Sequence, residues 1–364
     1  MKIIGKILAF FLVIILMLAL PLSILAYDTG QVIFHAPLVK QILTDITTQS
    51  DLIPVGLQWY AQRRAQIRSE ARETKTWQDE PDILELLDYL SIDEWRTIRH
   101  EVLGDEILQD WVSVTVDGTY AWIDSDQPTP DIQWNLALFK ERVASEHGRN
   151  AIQVVFDTLD SCTEQQITDF KTRLAALPPG LEVPYNLCRF PDPWYGDQVS
   201  DYHNALVLVL ANIPGTFNLT GALSGSDDTS GVGPDQIKLQ LHLIRGAIRW
   251  APLIPALLLL FVLMLAIRTL RELGNWWGIP LTLSGILMIL LTLMYRSSLT
   301  AALSFGPLSE TPTLVRTEVI QALLRLAVEI FRPMLWQSIV IGVLGIMLIA
   351  VGALIKPKTL ELNA

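Results

Sequence analysis

Residues able to do chemistry are few in this chain of 364 and lie far apart. The five histidines, His35, His100, His147, His203 and His242, show neither HExxH nor HxH spacing. No GxSxG elbow, GxxxxGK[ST] phosphate loop or GxGxxG turn is present, and carboxylates are too abundant for a catalytic pair to stand out. Asp227, Asp228 and Asp235 cluster, but their spacing is not that of an EF-hand and no glutamate closes the loop, so a solvated segment is expected there instead of a Ca²⁺ site. The sequence thus specifies no catalytic set, no cofactor and no metal. The chemistry it does point to belongs to its two cysteines, Cys162 and Cys188. In an oxidising compartment the pair is expected to form a disulfide, worth roughly 3 kcal/mol for a loop of about 25 residues. A reactive thiol or metal role would call for a CxxC or Cys/His cluster, and neither accompanies them.

The elements that must position these residues are set by four uncharged apolar runs, 7–26, 251–267, 279–295 and 335–355. Each is close to the ~20 residues that carry a helix across ~30 Å of hydrocarbon. An integral membrane protein follows. Lys2 and Lys6 precede the first run, Arg268 and Arg271 lie between the second and third, and Lys356 and Lys358 follow the fourth. Four passes put all three sets on one side, which the positive-inside rule makes cytoplasmic. Both termini are then expected inside and the block 27–246 outside, although Arg245, Arg249 and Arg296 flank spans on the outer side. The block holds 33 acidic against 16 basic residues, a net of −17 in a chain of net −11. Such a surface repels phosphate backbones, so nucleic acid is not expected as a partner. Residues 1–26 also resemble a signal peptide, but Ile24 stands where cleavage wants a small residue, which favours an anchor.

Within the block, Pro37, Pro54 and Pro81 suit first helical positions, and Ser91 with Glu94 forms a capping box. Helices are predicted over 136–146, 150–159, 163–177 and 199–211. Residues 107–123 carry two signals. Val112, Val114 and Val116 alternate before Asp117-Gly118, which by pattern slightly favours a hairpin. Leu108, Trp111, Val112 and Thr115 equally suit a helical face.

Several runs across this block, from Leu90-Ser91-Ile92-Asp93-Glu94-Trp95 through Ile107-Leu108-Gln109-Asp110-Trp111 and Asp131-Ile132-Gln133-Trp134-Asn135-Leu136 to Asp160-Ser161-Cys162-Thr163-Glu164, and then Cys188, resemble a family of uncharacterised bacterial membrane proteins. The resemblance extends over nearly the full chain. It implies an N-terminal anchor, a helical extracytoplasmic region with two cysteines, and three C-terminal spans, with a helix around Trp111. It implies no activity.

The expected class is mainly α: four transmembrane helices and a helical extracytoplasmic domain. Residues 1–26 form the anchor, 27–214 the domain, 215–235 a mobile Gly/Ser-rich linker and 236–364 the membrane domain. Residues 236–248 are expected to be helical and to run into the second span with a bend near Pro252 and Pro255. An amphipathic helix is predicted over 312–332. Trp276 and Trp277 suit an interfacial belt. The favoured function is a membrane-anchored extracytoplasmic binding, sensing or scaffolding protein with the bilayer and an envelope protein as partners. An extracytoplasmic hydrolase is the alternative, and a transporter component is disfavoured because the three C-terminal spans hold no ionisable residue in their cores.

Overall fold

The computed structural model describes residues 2–73, 83–176, 188–224, 234–306, 308–309 and 311–354. Helices α1 (Lys2–Ile33), α2 (Ala36–Gln49) and α3 (Leu52–Glu73) lead to a 3₁₀ turn at Ile83–Tyr89. Then come α4 (Ile92–Leu103), α5 (Asp105–Ile123), strand β1 (Gln133–Asn135), α6 (Ala137–Ala144), α7 (Glu146–Asp157), α8 (Glu164–Ala176) and α9 (Asp192–Asn212). Strand β2 (Thr216–Asn218) and α10 (Leu219–Ser224) precede α11 (Pro234–Trp250), α12 (Leu253–Ala266) and α13 (Leu270–Leu273). A π-helical turn at Gly274–Gly278 opens α14 (Ile279–Phe305), and α15 (Thr313–Leu354) ends the described chain. The fold is mainly α, and four helical stretches are long and apolar enough to cross a bilayer. The protein is a multi-pass membrane protein.

Two compact units divide the chain: Met1–Val39, Val232–Ser309 and Ile320–Ala364 in one, Lys40–Gly231 and Glu310–Val319 in the other. The first unit is the helical bundle. At one end of it Lys6 pairs with Glu272 at 3.2 Å, and a Cβ on Gly5 would touch the carbonyl of Leu265. Further along α1, Ser284 Oγ of α14 donates to the Met17 carbonyl. Towards the other end Gly30 meets Ile248, where a Cβ would fall 2.2 Å from Ile248 Cγ2, so α1 and the α11–α12 pair run antiparallel in contact. The α14–α15 face brings backbone itself into contact. A Cβ on Gly278 would lie 2.9 Å from the Gly345 carbonyl, and one on Gly345 would lie 2.4 Å from Thr282 Oγ1. Lipid tails are as apolar as leucine, so helices gain little by hiding leucine from them; small residues let backbones approach and dispersion hold them. Tyr295 of α14 stacks on Phe331 of α15 with centroids 4.3 Å apart.

The second unit builds its core where α3, α4, α7 and α9 meet. Leu86, Phe156, Leu159 and Val199 form one buried cluster, and Ala61, Leu90 and Trp95 another. Helix ends are closed by side chains. The Ser91–Glu94 capping box is formed at α4. Arg99, only 8% exposed, donates to the carbonyls of Thr47 and Thr48 in the last turn of α2 and pairs with Asp105 at 2.9 Å. A guanidinium suits a helix C-terminus because it satisfies orphan carbonyls and opposes the negative end of the dipole. The two strands pair antiparallel with Trp134 opposite Phe217, and Trp134 stacks on Trp111 of α5 at 4.8 Å.

The structure gives four of these segments their form. Residues 107–123 are helical, as the resemblance implies and against the hairpin pattern. The reason is tertiary: a helix buries Ile107, Leu108, Val116, Trp122 and Ile123 together. Gly118 serves close approach and not a turn, since a Cβ there would lie 3.0 Å from Ile132 Cγ1. The linker predicted over 215–235 contains β2 and α10, because its backbone bonds with the segment before α6: Leu219 N–H donates to Ile132 O, and Leu136 N–H to Gly215 O. Asp227 and Asp228 lie outside the described residues, as do Pro81, Lys356 and Lys358. The anchor extends past Ala26 to Ile33, and residues 27–39 group with the bundle and not with the domain. The amphipathic stretch 312–332 is helical but is no separate element, because α15 continues through Pro333. The break between α11 and α12 falls at Ala251 and Pro252, where a bend is expected.

The glycine contact yields a paired prediction. Gly278→Ala should destabilise the detergent-solubilised protein by about 1–3 kcal/mol, because its methyl meets backbone that cannot rotate away. Gly342→Ala should be nearly silent, since a Cβ at that position would meet nothing within 4 Å. Equal denaturation midpoints for the two variants would refute the close-packed face.

Candidate functional site

The two cysteines are brought together by a clamp that precedes α8 and α9. Cys162 N–H donates to Arg189 O at 2.8 Å and Arg189 N–H to Asp160 O at 2.9 Å, which aligns the two segments side by side. Cys162 and Cys188 form a disulfide with sulfurs 2.04 Å apart. Behind it, buried Gln198 of α9 accepts from Phe190 N–H and donates to the Cys188 carbonyl, so its amide serves the clamp from within. Arg189 lies over the Tyr195 ring at 4.5 Å, and Tyr195 donates to Asp157 at 2.8 Å. Burial and that carboxylate push the Tyr195 hydroxyl up to about 12, so it stays neutral. A neutral, donating phenol locked to a carboxylate is a brace, not a nucleophile.

The histidines separate into two groups. In the second unit His147 Nδ1 lies 2.7 Å from Glu101, and His203 Nε2 lies 2.8 Å from the Val143 carbonyl. His147, exposed on α7, and half-buried His203 on α9 are thus each held by a partner within this unit. His100 sits in the last turn of α4. Among the described residues no three His, Cys, Asp or Glu side chains gather at metal-binding spacing. His35 and His242, separated by most of the sequence, line one cleft in the bundle unit.

That cleft is the site that sequence patterns do not disclose. It occupies about 430 Å³ between the C-terminal end of α1 and α11, walled by Tyr27, Gln31, His35, His242, Arg245 and Arg249. Among the described residues no carboxylate lines it. Arg245 lies 5.6 Å from the Phe34 ring, an aromatic face that suits a cation. His35 Nδ1 accepts from Leu38 N–H, which leaves the proton of a neutral ring on Nε2. In the sequence Arg245 and Arg249 bear only on topology. The signal that could have found them is their spacing: Lys238, His242, Arg245 and Arg249 follow at steps of four, three and four, and so share one face of α11.

A second polar feature lies beside it. Asp28, 4% exposed, accepts from Gln337 Nε2 of α15 at 2.9 Å. Its other oxygen has no hydrogen-bond partner among the described residues. The three C-terminal runs hold no such group, but the extended α1 brings this one into a candidate span.

Comparison with known protein families, curated proteins and solved structures returned no match.

Removing the bridge with Cys162→Ser and Cys188→Ser together should lower stability by about 3 kcal/mol and leave the fold helical. Denaturant unfolding followed by circular dichroism checks this; an unchanged midpoint would show that the hydrogen-bonded clamp suffices alone.

Proposed function

We propose that this protein is anchored in a bacterial cell membrane and displays Lys40–Gly231 outside the cytoplasm as a binding, sensing or scaffolding module for an envelope protein. The observation that carries the reading is the Cys162–Cys188 disulfide in that unit. Cytosolic thiols are held reduced, whereas disulfides persist on the oxidising side of the membrane. The acidic block and the basic residues at the opposite ends of the spans agree with it. So does the packing of α1, whose Ala9 and Leu16 are fully buried in the bundle, as in a retained anchor. Binding is favoured over hydrolysis because Glu101, Asp157, His147 and His203 are each committed to a partner within the unit. A reporter enzyme active only outside the cytoplasm should be active when fused after Ser224 and inactive after Ala364. An active fusion at Ala364 would overturn this topology.

Asp28 supports a second reading, a transporter component, since ionisable groups buried among spans commonly mark ion or proton paths. On that reading wild-type proteoliposomes should move protons under an imposed potential and Asp28→Asn should not. Identical traces from the two proteins would remove it.

A further inference from the structure

We propose that the cleft between α1 and α11 binds a phosphate group, presented by the headgroup of an anionic phospholipid. In a chain of net −11 the cleft gathers Arg245, Arg249, His35 and His242, with no acidic residue in its wall among the described residues. Arg249 has neither a hydrogen bond nor an ion pair among the described residues, so its guanidinium fork is available to a phosphate. The volume of about 430 Å³ falls within the roughly 300–1,000 Å³ typical of small-ligand sites. A glycine opens the floor: a Cβ on Gly246 would meet nothing within 4 Å.

Two observations favour a lipid over a free anion. Leu239, Leu243 and Trp250 on the same helix are 61%, 65% and 65% exposed, an apolar surface next to the cations that acyl chains can cover. The depth also agrees. Counting from Lys6, whose ion pair with Glu272 marks one end of the bundle, about 20 helical residues cross the hydrocarbon, which brings Tyr27 to His35 to the headgroup layer. A basic pocket between helix ends at that depth, flanked by apolar side chains, matches the chemistry of an anionic headgroup and its chains. The inference stands apart from the outward display proposed above, because it holds for either leaflet.

The test is calorimetric titration of the full chain in a neutral detergent with short-chain phosphatidylglycerol and, separately, with inorganic phosphate. Wild type should bind the lipid. Arg249→Gln should weaken binding roughly ten-fold or more. Gly246→Phe, whose Cβ would enter open space and whose ring would fill the cleft, should abolish it while the thermal midpoint stays at the wild-type value. Binding of inorganic phosphate alone, lost in both variants, would keep the phosphate site and overturn its lipid source. Lipid binding of equal strength in all three proteins, or no binding of either ligand to wild type, would overturn the proposal.

Discussion

The bundle depends on backbone contact between α14 and α15. Gly278 and Gly345 approach so closely that neither has room for a methyl group, and Thr282 fills the space between them. In water a leucine-rich seam would hold two such helices by expelling solvent. In hydrocarbon that gain is absent, and what remains is dispersion between surfaces able to come near. Many large apolar side chains of these helices accordingly point outward: Leu283, Ile286, Leu290 and Leu293 on α14, and Val340, Leu344 and Met347 on α15, are exposed in the isolated chain, whereas Met288 and Met334 are buried. The same logic recurs where Gly30 of α1 meets Ile248 of α11.

That second contact bears on function. By bringing α1 against α11 it creates the cleft and draws in residues about 200 positions apart, His35 on one side and His242 to Arg249 on the other. Its cations belong to a helix that also exposes leucine and tryptophan, so charge and apolar surface meet at one depth. The Lys40–Gly231 unit follows a different rule, that of a water-soluble core. Its aromatic and aliphatic clusters are buried, its helix ends are capped by Ser91 and Arg99, and its cysteines are joined.

Much of this architecture is legible in the sequence because it rests on local signals. Spans follow from length and hydropathy. The α4 start follows from a serine three residues before a glutamate. The disulfide follows from there being two cysteines in one block. Residues 107–123 and 215–224 are less legible, for a common reason. Alternating valines before Asp117-Gly118 are compatible with a hairpin, and Gly/Ser/Thr-rich sequence with a loop, until distant segments compete for the same backbone and side chains. Ile132 decides both: its side chain lies against Gly118, and its carbonyl accepts from Leu219.

The sequence by itself determined that the chain crosses a membrane, that its polar block is helical and acidic, and that its cysteines had only each other as partners. Each of these depends on properties that residues carry with them: transfer free energy, charge and thiol chemistry. Only the tertiary structure decided which glycines hold helices together, that Asp28 is enclosed beside Gln337, and that two histidines and two arginines share a cleft. Those outcomes depend on which helix faces meet, and the facing of one helix by another is set by complementary shape across long sequence separations, which no local pattern encodes.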